Sequence, residues 1–258
     1  MLALCAVLTV NAVQLQRTST VTALDVSQGQ SIVFSSGRAC AVVDCGGRST
    51  VEDPGDLAAR KLLAQGHRSL DLLMLTHPHD DHVNGVLRLM HWLPVRTLVV
   101  PAAADTTKAP LSDILTLAAA NHTTVVRVDA ERTVTAGGIS VHLYPEPCAG
   151  QEDGSMIVLT SIGDYDTLVP GDVDTTAEVK FLSSCTYPSV ELLLVGHHGS
   201  KRSTSDAWLD AIAPDAAIIS VGYNNYGHPT SDTLERLQAH NIPIYRTDQM
   251  GDITVHLS

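Results

Sequence analysis

The chain has 258 residues, enough to bury a sizeable core in one or two domains. It is 44% hydrophobic and 17% charged, which excludes a disordered chain, and its net charge of −12 is the wrong sign for a protein that grips nucleic acid over a broad basic surface. Five scattered cysteines with no Cys-x-x-Cys pair argue against a cysteine zinc site and a disulfide framework, and they read as buried thiols.

Residues 1–13 are nearly all apolar but too few to span a bilayer, and no basic region marks them as a secretory signal. They read either as the tail of a membrane helix or as a packed N-terminal strand. Strands are predicted over Val21–Val26, Ser31–Phe34 and Ala39–Val43, with turns at Ser27-Gln28-Gly29-Gln30, Gly37 and Asp44-Cys45-Gly46-Gly47. A helix is predicted over Pro54–Gln65, stopping at Gly66, followed by a buried strand over Leu70–Leu75.

Next come a helix over Val83–Leu93, a strand over Thr97–Val100 and a helix over Leu111–Asn121. Strands follow over Thr124–Val128, Thr133–Ala136, Ile139–Tyr144, Met156–Ile162 and Thr167–Val169. The remainder reads as helix Thr175–Ser184, strand Val190–Val195, helix Ser205–Ala213, strand Ala216–Val221, helix Ser231–Asn241 and strand Ile253–His256. Scarce aromatics with abundant Ala, Val, Leu and Ile suit buried strands packed by helices. Periodicity alone implies only an α/β domain.

The chemistry concentrates at strand ends. The run Leu72-Leu73-Met74-Leu75 leads into Thr76-His77-Pro78-His79-Asp80-Asp81-His82, where Pro78 fixes a bend and five potential metal ligands fall within six positions. Leu192-Leu193-Leu194-Val195 leads into Gly196-His197-His198-Gly199-Ser200. On an extended segment the adjacent histidines point opposite ways, so one of His197 and His198 is expected as ligand; we favour His198. His228 follows the strand over Ala216–Val221, and Asp172 follows Pro170-Gly171, where glycine permits close backbone approach. His67, His91, His122, His142, His240 and His256 are dispersed and read as structural or solvated.

These residues together resemble the metallo-β-lactamase superfamily. Its H-x-H-x-D-H hallmark is matched by His77, His79, Asp81 and His82, and its later bridging aspartate by Asp172. Within it, Asp-Val-Ser-Gln-Gly-Gln-Ser, Pro-Gly-Asp, Val-Gly-His-His-Gly-Ser-Lys and Tyr-Gly-His-Pro are similar to the C-terminal domain of ComEC-type competence proteins. The likeness covers residues 20–258. It implies an αββα sandwich of two mixed sheets with helices outside, with residues 1–19 as a separate apolar segment of the kind that ends a membrane helix.

The resemblance further implies two divalent ions, zinc or manganese. His77, His79 and Asp172 would hold one; Asp81, His82, Asp172 and one of His197 and His198 would hold the other. Asp81 and His228 would serve catalysis, His228 as proton donor to the leaving oxygen. Lys201 and Arg202 would grip a phosphate, with Ser200, Ser203 and Thr204. The implied activity is a phosphodiesterase acting on single- or double-stranded DNA during uptake. It would work at the extracytoplasmic membrane face, below an upstream channel domain if the chain is a fragment. Alternatives are hydrolysis of a small ester, lactone or phosphocholine ester, and a non-catalytic coupling domain.

Two departures stand out. Residues 151–155 (Gln-Glu-Asp-Gly-Ser) lack the histidine the superfamily often places on the first metal, leaving Asp153 as a substitute. Ser27 and Gln30 replace the branch's usual Gly and Asp, removing an acidic side chain at position 30.

Overall fold

The computed structural model describes residues 18–49, 51–145 and 155–257. The predicted N-terminal segment and the run around Asp153 lie almost wholly outside them.

The strands are β1 (Ser19–Ala23), β2 (Gly29–Ser36), β3 (Ala39–Gly47), β4 (Leu70–Met74), β5 (Val95–Pro101), β6 (Thr124–Val128) and β7 (Arg132–Ala136). They continue as β8 (Ile139–Pro145), β9 (Met156–Ile162), β10 (Tyr165–Val169), β11 (Leu192–Leu194), β12 (Ala216–Ile219), β13 (Ile244–Arg246) and β14 (Ile253–Leu257). The helices are α1 (Pro54–Ala64), α2 (Asp80–Val83), α3 (Val86–Trp92), α4 (Leu111–Ala120), α5 (Thr175–Ser184), α6 (Asp206–Ile212), α7 (Ser231–Ala239) and α8 (Thr247–Met250).

Two seven-stranded mixed sheets run in the orders β14-β1-β2-β3-β4-β5-β6 and β13-β12-β11-β10-β9-β8-β7. Each joins an antiparallel half to a parallel half: β3 to β6 in the first sheet, β10 to β13 in the second. One core fills the space between sheets, with Phe34, Met74, Val158 and Ile218. A second lies beneath α1, α3 and α4, and a third beneath α5, α6 and α7, where Phe181 meets Trp208. This is the predicted αββα sandwich.

Coverage on both faces explains the unbroken apolar run before the histidine cluster. Leu72 and Met74 enter the inter-sheet core, while Leu73 and Leu75 enter the core beneath the helices. Ser205 caps α6 by accepting from the Trp208 N–H at 3.2 Å, and Asp174 caps α5 by accepting from the Ala177 N–H at 3.0 Å.

Three local expectations change. The predicted helix Val83–Leu93 divides into α2 and α3, because Gly85 donates its N–H to the Cys45 carbonyl at 2.8 Å and packs against the Gly55 backbone. Strand β3 continues through the predicted turn to Gly47. Strand β13 and helix α8 were not anticipated.

Candidate metal centre

Parallel strands bring their C-terminal ends to one edge of each sheet, where α/β sheets bind ligands. The loop after β4 carries His77, His79, Asp81 and His82; that after β10 carries Asp172; those after β11 and β12 carry His197, His198 and His228. Asp81 and Asp172, 91 positions apart in sequence, therefore converge with His198 and His228 on one cavity of about 500 Å3.

Two ligand sets form there. His77, His79 and Asp172 make one; Asp81, His82 and His198 make the other, with the donor atoms of each set within 4.8 Å of one another. Asp172 faces both. Its Oδ2 is 3.6 Å from His77 Nε2, and its Oδ1 is 3.2 Å from His82 Nε2 and 3.9 Å from His198 Nε2. His198 Nε2 also lies 3.7 Å from Asp81 Oδ2.

Hydrogen bonds on the far side of each ring fix which nitrogen is presented. His82 Nδ1 donates to Asp44 Oδ2 at 2.8 Å, and His198 Nδ1 donates to the Ser220 carbonyl at 2.8 Å. The Thr76 hydroxyl donates to Asp44 Oδ2 at 2.7 Å, so it accepts from His77 Nδ1 at 3.1 Å. All three rings thus turn Nε2 inward. Those nitrogens and Asp172 Oδ1 are buried without a protein hydrogen bond in good geometry. Buried orphan acceptors converging on one point fit a cation better than they fit one another.

The electrostatics agree. Burial opposes charge on His82, but the Asp172 and Asp44 carboxylates outweigh it and hold its pKa well above the ordinary imidazole value. Burial likewise opposes charge on Asp172, yet His82, His77 and His198 hold it well below the carboxylate range. Burial, reinforced by His82, pushes His77 well below the ordinary value and keeps it neutral. Burial also lowers His198. The two carboxylates therefore favour positive charge at this point, and a metal held by His82 Nε2 would take the place of the proton there.

The expected extended geometry at His197 and His198 is corrected. Both adopt the left-handed conformation, at φ 49° and 53°, inside a 3-10 turn over Gly196–Gly199. Two successive non-glycine residues there carry strain, held by the His197 N–H donating to the Gly171 carbonyl at 3.0 Å. Both rings reach the cavity: His198 is buried, while His197 is half exposed with Nε2 3.6 Å from Asp172 Oδ2.

Gly171 has φ +64°, and a Cβ there would lie 3.0 Å from the Thr76 side chain, so glycine provides the close approach that delivers Asp172. His228 lines the cavity against His197, with ring centroids 5.5 Å apart, and burial lowers its pKa. Lys201 and Arg202 are exposed and do not line the cavity; the cation that does is Arg48. Of the dispersed histidines, His67, His91, His142 and His240 take local partners, as when His67 Nε2 pairs with the Ser35 hydroxyl at 2.7 Å.

Sequence reading placed Asp44 in a turn and gave its side chain no role. It is wholly buried at φ 57° and accepts from His82, from the Thr76 backbone and hydroxyl, and from Gln30 Nε2 at 2.7 Å. The neutral amide at position 30 thereby acquires a role of its own. A carboxylate within the buried run Val42-Val43-Asp44-Cys45 was the available signal, since a buried charge needs partners.

Residues 24–223 match the family model of the metallo-beta-lactamase superfamily. The chain belongs to the metallo-beta-lactamase superfamily. It is 28% identical over 249 residues to ComE operon protein 3 of Bacillus subtilis (strain 168), covering 89% of this chain and 32% of that protein. It is 30% identical over 244 residues to competence protein ComA of Neisseria gonorrhoeae, covering 90% and 31%. The chain thus spans about a third of the length of these curated relatives. Among solved structures, the metallo-beta-lactamase fold protein YhfI from Bacillus subtilis superposes with a TM-score of 0.61 at 13% identity, covering 93% of this chain and all of that one. In this superfamily the fold supports metal-dependent hydrolysis, and the His and Asp sets described above are its candidate ligands.

Proposed function

We propose that this domain is a two-metal phosphodiesterase acting on a DNA strand during competence-linked uptake. The observation that carries the reading is Asp172, whose two oxygens face separate ligand sets inside one polar cavity. The likeness to competence proteins supports nucleic acid as substrate.

His77, His79 and Asp172 would hold one ion, and Asp81, His82 and His198 the other, with Asp172 between them. When bound, such ions supply Lewis acidity and lower the pKa of water toward ~7. Asp44, Thr76 and Ser220 orient the histidines from behind. His228, on the cavity wall, would protonate the leaving oxygen. Zinc and manganese both suit this mixture of imidazole and carboxylate.

One observation favours a second reading. The net charge of −12, with Asp80, Asp81 and Asp172 all lining the cavity, suits a small neutral ester or lactone. Hydrolysis of single-stranded DNA, compared with a small chromogenic diester and a lactone, separates the two. Chelator-stripped protein should regain DNA hydrolysis on reloading with Mn2+ or Zn2+. Full activity in both His79→Ala and Asp172→Ala would overturn the site.

We further propose that the domain works at the extracytoplasmic face of the membrane, next to a channel-forming region, a reading that the likeness to competence proteins supports. Among the described residues no helix is long and apolar enough to cross a membrane.

A further inference from the structure

An anionic strand approaching a protein of net charge −12 finds little general attraction, so local cations must capture it. Among the described residues lining the cavity, Arg48 is the sole Lys or Arg. It follows directly on β3, and its root is fastened on both sides. Its own N–H donates to the Gln28 carbonyl at 2.9 Å, and Asn84 clasps the preceding Gly47 through both backbone groups, at 3.0 and 2.8 Å.

The far end is also held. The Arg48 guanidinium lies 5.8 Å from the centroid of the Tyr226 ring, within cation–π range. Tyr226 is 59% exposed, an unusual setting for a large aromatic with no hydrophobic task. Its loop is nonetheless built firmly. Asn224 Oδ1 accepts from the Tyr226 and His228 N–H groups, each at 3.0 Å. Asn224 Nδ2 donates to the Gly222 and His228 carbonyls at 2.9 and 2.8 Å. One asparagine thus fixes Tyr226 and His228 together, and the Tyr226 ring lies 5.9 Å from that of His228.

Among the described residues no carboxylate lies within ion-pair range of Arg48, whereas Arg60, Arg88 and Arg246 each pair with an acid. A guanidinium presents a planar fork suited to phosphate. We propose that Arg48, steadied by Tyr226, binds an internucleotide phosphate next to the scissile one. The substrate class this selects is a strand carrying at least two phosphates. The inference rests on the phosphodiesterase reading and deepens it.

The test compares two substrates in metal-reconstituted protein: a short oligothymidylate, and bis(p-nitrophenyl) phosphate, which has no second phosphate. Arg48→Ala should lower kcat/KM on the oligonucleotide by about 10- to 100-fold, the range of a hydrogen bond to a charged group, and change diester hydrolysis by less than about threefold. Tyr226→Ala should show a milder form of the same split, and Tyr226→Phe, which keeps the ring, should not. Equal losses on both substrates, or none on the oligonucleotide, would overturn the inference.

Binding of a fluorescent phosphorothioate oligothymidylate provides a separate readout. Arg48→Ala should weaken it and reduce its salt slope by about 0.7, the value for one phosphate contact on a single strand. If wild-type protein cleaves neither substrate, the phosphodiesterase reading fails while this binding comparison still decides the fate of Arg48. Unchanged affinity and slope would then overturn the assignment.

Discussion

Asp44 Oδ2 lies 2.8 Å from His82 Nδ1, and both side chains are wholly buried. The opposite nitrogen of that ring faces Asp172 at 3.2 Å, so one imidazole couples a carboxylate behind the site to one within it. Asp44 Oδ2 also accepts from Gln30 and Thr76, and Thr76 in turn receives His77. A single carboxylate therefore governs one histidine of each ligand set.

Asp44→Asn tests that control. Whichever way the amide turns, its NH2 group meets at least one donor that the carboxylate accepted. Each stranded donor should cost about 1–3 kcal/mol of stability. Metal affinity should fall about 10- to 100-fold, as it does for lost partners of ligating histidines. Equilibrium dialysis and thermal unfolding check the two effects, and unchanged affinity would remove Asp44 from the account.

Gly46 lies against the histidine loop itself. A Cβ at this position would come within 2.5 Å of backbone atoms of Asp81 and His82, which cannot yield as a flexible side chain would. Gly46→Ala should cost about 3 kcal/mol or more and displace both ligands. A fully stable, fully metallated variant would show that the loop tolerates movement there.

Metal stoichiometry should separate shared from private ligands. His79→Ala removes a donor from one set and should leave about one tightly held ion per chain. Asp172→Ala removes the carboxylate facing both sets and should leave less than one. Elemental analysis after dialysis reads the difference. Equal retention in the two variants would contradict a carboxylate shared between sites.

Much of this was legible in the sequence, and what was missed has physical causes. Strand β9 was read to the residue because Met156–Ile162 is a buried run with clear ends. The strand-end rule found His77 to His82, Asp172, His197, His198 and His228, because fold edges collect polar residues where buried strands stop. It misjudged the backbone at His197 and His198, since two left-handed residues in succession run against the preference that a sequence reveals. It missed β13, three half-exposed residues after Pro243 that carry no apolar run. It looked for a phosphate grip at Lys201, nearest in sequence to the histidines; Lys201 does not line the cavity, and the fold brings Arg48 there from the opposite sheet.

Glu178 gives a pH dependence away from the metal centre. It is buried and accepts from the N–H groups of Thr204 and Ser205, and burial raises its pKa above the usual glutamate value. A carboxyl with a raised folded pKa contributes stability that is full below its unfolded pKa. That stability is lost as pH rises through the folded value. Glu178→Gln cannot titrate, so its melting temperature should vary less over the acidic-to-neutral range. The gap to wild type should narrow as pH rises. Parallel curves for the two proteins would show that Glu178 does not titrate in that range.

The central claim is that two ions act together in one cavity. Chelator-stripped protein titrated with Mn2+, with oligothymidylate hydrolysis followed at each addition, tests it most directly. The account predicts that activity rises to a plateau at two equivalents per chain. A plateau at one equivalent, or no hydrolysis at any loading, would contradict it.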